Sequence, residues 1–462
     1  MTTIGFRRPE PRRLAYRLIG AAAAVGIVLA LTRLPIATPA VPVDAVPPVD
    51  GAAAAPQLDG GGSLGLLPPA QRVAFWEKRV ADDGSFLDLI NLADAYLDRS
   101  RATGDLDDLN RAATALDDAA KTAPYPDRVI VRRAMVAFAL HDFVGAMTRA
   151  DDVLRQTPDD LAALGVAGDA RLETGDIAGA RERYQRLAEL APSPASWSRL
   201  GRLAFLTGDP EAAARLVSRA AASSREEGAP DAEAFYDFQL GDLHRATGDL
   251  VAAEAAYTAS LAALPEYVPA MNGLAAVLTA TDRPDEAIRI LERATARLPQ
   301  PELVASLGDL YALTGDSARA EDQYRLVEGI EHLSAATGSV YDRQLVIFSA
   351  DHERGLHDAL SRARAELAVR DDIYGHDALA WVLYRLGRFD EAAVHAEAAL
   401  ALGTPDPRIA YHAGLIAAAR GADAQALSLL RTAVRGVALL PPLQADSARA
   451  ALAELQMEGA RP

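Results

Sequence analysis

The sequence predicts an all-α protein, a solenoid of about ten stacked helical hairpins, on three observations. Alanine makes up about a fifth of the 462 residues. Half of the chain is apolar, yet only 6% is aromatic. From residue 86 onward a helical run, a Gly-Asp break, a second helical run and a proline return, most often every 33 or 34 residues. Alanine is small and favours helix, so helices rich in it can approach closely. A period of this length marks units that bury their apolar faces only by stacking on one another. Length alone would suggest roughly three ordinary domains; the repetition turns that length into one array.

The first element is set by charge. Residues 1–33 hold six arginines (Arg7, Arg8, Arg12, Arg13, Arg17, Arg33) against Glu10, a balance of +5, which leaves −22 on the remainder of a chain whose total is −17. Between Arg17 and Arg33 lie fifteen uncharged residues, and Pro35 follows. A basic flank, an apolar core and a helix breaker describe a secretory signal. The stretch Leu14 to Leu34 is also just long enough to span a bilayer if the flanking arginines reach the headgroups. Residues 1–34 are therefore expected to be a signal peptide or a signal anchor. The basic end stays cytoplasmic, so the long body lies outside, at the cell envelope. The pair Arg12-Arg13 matches a twin-arginine signal poorly at the later positions. Residues 35–69, rich in Pro, Ala and Gly, read as a linker. A capping helix is expected over 70–85.

The cleanest hairpin is LAALGVAGDARLETGDIAGARERYQRLAELAPSP at 161–194. Gly175 can take the left-handed conformation that ends a helix, and Asp176 can cap the next one. Gly168 and Ala180 allow close approach of the two helices, with Leu164, Tyr184 and Leu187 filling around them; Pro192 stops the second helix. The same offsets recur from Pro194 (Trp197, Leu200, Gly201, Gly208, Ala213) and from Ala234 (Leu240, Gly241, Gly248, Ala253, Tyr257). Further copies start near Val268, Pro301, Ile373 and Pro407, and weaker ones near Phe86, Asp127 and Val340. His141, Asp282 and Arg354 stand where the turn glycine is expected, and distortion is predicted there.

These residues resemble the tetratricopeptide repeat family. Its run of a bulky residue, Leu-Gly, Tyr, Gly, Ala, an aromatic, Ala and Pro is met in part by Trp197-Leu200-Gly201, by Leu307-Gly308-Tyr311-Gly315-Ala320-Tyr324 and by Gly387-Ala392-Ala399. The resemblance covers residues 86–440. It implies a right-handed solenoid whose first helices line a concave binding wall. Residues 441–462 read as a C-terminal capping helix and tail, because a solenoid must hide its terminal apolar faces.

Chemistry finds little support in the sequence. With no cysteine there is no disulfide, thiolate zinc site or iron–sulfur ligation. The cluster Gly60-Gly61-Gly62 lies in the linker without a preceding strand, so it is no phosphate loop. His352 and His357 are five apart, about 140° around a helix, unlike a zinc-binding pair four apart. Asp351 and His376 add further polar groups nearby, while His244, His395 and His412 stand singly. No cofactor or metal is expected, and the acidic body disfavours nucleic acid. Membrane contact is expected only through the N-terminal segment.

The family's first helices carry a second stripe at positions 2, 5, 9 and 12, facing the groove. Position 9 reads Asp169, Arg202, Asp242, Ala276 and Asp309, unlike a basic peptide clamp. Toward the C-terminus the stripe turns aromatic, with Tyr341, Phe348, Tyr374, Trp381, Tyr384 and Tyr411, against a thinner earlier set of Phe205, Phe235 and Phe238. Aromatic rings are enriched at binding hot spots, so residues 340–440 are expected to bind a protein or extended peptide with Trp381 and Tyr384 as anchors. The function expected is a non-catalytic scaffold at the cell envelope, exported or membrane-tethered. Two other readings are an accessory subunit of an envelope enzyme, glycan-assembly or protein-maturation complex, and a hydrolase with its site in 330–376.

Overall fold

The computed structural model describes residues 67–337 and 342–458. The proposed signal or anchor and nearly all of the linker lie outside the described residues. Twenty-two α-helices and, among the described residues, no strand make up the fold. In chain order they are α1 (Pro69–Asp82), α2 (Phe86–Thr103), α3 (Leu106–Ala120), α4 (Pro126–Ala139), α5 (Phe143–Gln156), α6 (Leu161–Glu173), α7 (Ile177–Leu190), α8 (Pro194–Leu206), α9 (Pro210–Glu227), α10 (Pro230–Thr247) and α11 (Leu250–Ala263). There follow α12 (Val268–Ala280), α13 (Pro284–Arg297), α14 (Pro301–Leu313), α15 (Ser317–Thr337), α16 (Asp342–Asp351), α17 (Leu356–Leu367), α18 (Ile373–Arg385), α19 (Phe389–Ala399), α20 (Pro407–Ala419), α21 (Asp423–Arg435) and α22 (Pro442–Glu458). Helices α2 to α21 pair into ten hairpins, α1 packs on α2, and α22 packs on α21. Even-numbered helices touch one another along much of the stack and form the inner layer. No described helix is long and apolar enough to cross a membrane.

Local chemistry fixes each hairpin. At the α6–α7 turn the Thr174 hydroxyl donates to the Ala170 carbonyl at 3.0 Å, Gly175 takes φ +86°, and the Asp176 carboxylate accepts from the Gly179 amide at 2.8 Å. Such a cap contributes about 1 kcal/mol. Asp142, Asp209 and Asp249 cap α5, α9 and α11 in the same way. Prolines open α8, α10, α14 and α20, where a missing N–H costs nothing.

The hairpin interior uses a second device. A Cβ on Gly168 would lie 2.5 Å from the Tyr184 ring, so only glycine lets that ring cross the helix. The Tyr184 hydroxyl then donates to Asp169 at 2.9 Å. Gly241-Asp242 with Tyr257 and Gly308-Asp309 with Tyr324 repeat the arrangement.

Distortion is confined to one of the three turns lacking glycine. His141 and Asp282 adopt φ +62° and +60° and still close ordinary hairpins. The third is distorted: Glu353 and Gly355 are both left-handed, at φ +54° and +58°, and the turn between Asp351 and Leu356 runs one residue longer than the other two. Polar side chains tolerate this region at single positions, and the helices packed on either side hold them there.

Six hairpins further along, the solenoid meets itself. A Cβ on Gly175 would lie 1.9 Å from the Asp371 carbonyl oxygen, one on Gly208 2.8 Å from that of Gly403, and one on Gly248 2.4 Å from that of Arg435. The turns closing three early hairpins thus abut the loops that open α18, α20 and the short 3-10 turn Val437–Leu439. Leu172, Leu203 and Leu206 share an apolar cluster with Ile373 and Ile409 across this seam.

Candidate partner-binding surface

Tyr341 lies outside the described residues. Trp381 is 0% exposed, Tyr411 1% and Phe348 4%, so the expectation that these rings present themselves to a partner is corrected. The reason is stacking between hairpins. Trp381 donates its indole N–H to Asp351 at 2.7 Å, lies 4.2 Å from the His412 ring at 14°, and stacks on Tyr384 at 5.1 Å and 6°. The Arg385 guanidinium covers its other surroundings at 4.4 Å from the ring centroid. Tyr411 donates to the Ser447 hydroxyl of α22 at 3.0 Å and lies 5.6 Å from Trp381. Phe348 belongs to a separate group with Tyr324 and His352. Tyr374 is half-buried at the seam, its hydroxyl pushed up by burial and by Asp406. Tyr384 is half-buried and keeps an accessible edge beside Phe389, which is 38% exposed and 5.6 Å away. Trp381, Tyr384 and Tyr411 therefore come together, but as a packing core with Tyr384 at its margin. Of the earlier aromatics, Phe235 and Phe238 are buried and Phe205 is half-buried.

The acidic reading of position 9 changes too. Asp169 and Asp309 are buried, and with half-buried Asp242 they accept hydrogen bonds from tyrosines rather than facing a groove. Burial pushes the Asp309 carboxyl up to about 8, with Asp351 adding to the rise against the hydrogen bond from Tyr324. Burial also holds His352 down to about 4, with Arg354 and Arg385 adding to it. The 3.5 Å contact between His352 and Asp309 is therefore one between neutral groups near pH 6. The folded chain keeps a proton on Asp309 that the unfolded chain releases near pH 3.8, so this residue costs stability progressively as pH rises from about 4 to 8. Asp309→Asn keeps the acceptor for Tyr324 and removes that cost. Its melting temperature is expected to match the wild type near pH 4, to exceed it increasingly up to about pH 8 and to level off above that, by calorimetry; a constant difference would contradict the assignment.

His352 and His357 are set apart by the turn at Glu353 to Gly355, His357 being exposed. Among the described residues no three His, Cys, Asp or Glu side chains converge as for a metal ion. His376 pairs with His395 at 2.9 Å and with Asp371 at 2.9 Å, and His412 with Asp377 at 2.9 Å.

Sequence reading missed the ionic cluster at the seam. Glu173 is bonded by Arg202 at 2.7 Å and by Arg370. Arg343 bonds Glu366 at 2.6 Å and Asp372 at 3.0 Å, and Arg370 reaches Glu366 at 3.2 Å. Burial opposes the charge on Glu173, yet Arg202 and Arg370 together hold its carboxyl down to about 2. Its partners lie 29 and 197 residues away, beyond any local spacing.

The family description "Tetratricopeptide repeat" matches residues 131–193, 166–233, 244–310 and 378–441, about half of the chain. The chain belongs to the tetratricopeptide repeat family. Tetratricopeptide repeat arrays are protein-interaction scaffolds, and this one shares their helical hairpins. Among solved structures the repeat chain is similar to the Cut9–Hcn1 hetero-tetramer of the APC/C, at 13% identity over 83% of this chain and 92% of that one, TM-score 0.36. It is similar to PilW, a type IV pilus biogenesis factor, at 20% identity over 48% of this chain and 98% of that one, TM-score 0.38. The MamA protein aligns at 20% identity over 37% of this chain and 91% of that one, TM-score 0.29. No curated protein matches the chain.

Proposed function

We propose that this tetratricopeptide repeat protein is an exported or membrane-tethered scaffold that holds partner proteins at the cell envelope and performs no catalysis itself. The observation that carries the scaffold reading is the array of ten hairpins in a family of interaction proteins. Export rests on the sequence of residues 1–34, with its +5 balance and apolar run. The accessible aromatic edge at the α18–α19 turn, Tyr384 with Phe389 beside half-buried Arg385, supplies the contact surface for a protein segment. An aromatic pair flanked by arginine suits such a contact.

Crosslinking in the native cell, followed by identification of captured proteins, tests the reading. Envelope proteins are expected in the wild-type capture and are expected to be depleted with Tyr384→Ala combined with Phe389→Ala. Recovery of the chain in soluble cytosol with Met1 intact would sink the export half. Undiminished capture by the double variant would remove this surface.

A further inference from the structure

The seam where the solenoid meets itself joins elements far apart in the chain, unlike the interfaces between neighbouring hairpins. Within and between neighbouring hairpins the contacts are largely apolar, as with Leu164, Tyr184, Leu187 and Ala180. Across the seam polar contacts take a larger part: Glu173 with Arg370, the Arg245 guanidinium donating to the Ala438 carbonyl at 3.3 Å, and turn glycines against backbone carbonyls. The apolar share is the cluster of Leu172, Leu203, Leu206, Ile373 and Ile409, with half-buried Leu200, Leu400 and Leu402 packed against it.

Interfaces of this partly polar kind between parts of one chain permit relative motion. The solenoid that joins the two sides is held by nearest-neighbour contacts, which flex by small increments at each hairpin.

We propose that the seam is a latch: the early hairpins and the hairpins after residue 342 separate along it as intact bodies, with the Glu173–Arg370 pair as the bond that holds it shut. Opening uncovers the inner ends of α6, α8 and α10 and the loops before α18 and α20 without melting any helix. The latch does not depend on the identity of a partner and is read on the free protein.

The chain has no native cysteine, so paired spin labels report one distance cleanly. Arg181→Cys on α7 and Val369→Cys before α18 are exposed and stand on opposite sides of the seam. In full-length protein carrying both labels, pulsed electron spin resonance is expected to give one short distance. Adding Glu173→Gln is expected to shift part of the distribution to longer distance with unchanged far-ultraviolet circular dichroism, and Arg370→Ala to do the same. A distribution unmoved by both changes would overturn the latch. A shift that comes with loss of helicity would overturn it as well, because local unfolding rather than separation would then be the event.

Discussion

Replacing Trp381 by alanine is expected to destabilise the protein by about 3–5 kcal/mol, the range for deleting a large buried aromatic side chain. The indole is fully buried between α16, α18 and α20 and touches His412, Tyr384, Tyr411 and Arg385. Its removal leaves a cavity and takes the N–H donor from Asp351, a carboxyl already pushed up by burial. Trp381→Phe separates the two effects. It keeps most of the ring and loses the hydrogen bond, for an expected cost of about 1–3 kcal/mol. Because stability in a solenoid is a sum over neighbouring units, the loss is expected to be regional. Hydrogen exchange of Trp381→Ala should accelerate in α16 to α22 and stay near wild type in α2 to α5. A cost below about 1 kcal/mol, with exchange unchanged, would instead mean that the ring is a surface anchor.

That ring also shows where sequence reading stops. The period, the turn glycines and the capping aspartates are local signals, written within a few residues of the structure they make. Gly175, Asp176 and Pro192 could therefore be assigned their roles before any coordinates. Which side of a first helix faces the groove depends on how far the next hairpin rotates, and no single repeat encodes that. Trp381 lay on the predicted stripe, yet the following hairpin brings His412 and Tyr411 over it. Asp169 and Asp309 were read as groove residues for the same reason, although Gly168 and Gly308 beside them already marked a close tyrosine crossing. The spacing of that Gly-Asp pair to its tyrosine was in the sequence three times. The seam was not: Glu173 and Arg370 meet only because five intervening hairpins curve back.

The second large effect is expected from Arg199→Ala. Asp169 is 0% exposed and Arg199 2%, and the guanidinium gives Asp169 two hydrogen bonds of 2.8 Å from Nε and Nη2. With Tyr184 as a third donor, this group pins the hairpin α6–α7 to α8. Removing the arginine alone strands a carboxylate in the core with one remaining donor. Breaking a buried pair in this way costs about 3–5 kcal/mol, most of it the penalty on the charge left behind. The companion variant Asp169→Leu with Arg199→Leu takes both charges out together, and replacement of a buried pair by apolar groups is often neutral or stabilising. The double variant is thus expected to be more stable than Arg199→Ala, and a double-mutant cycle in denaturant would return a coupling energy above about 1 kcal/mol. If the costs of the two single changes simply add in the double change, the pair is not what ties these hairpins. The apolar contacts around Ala180 and Leu187 would then account for the join.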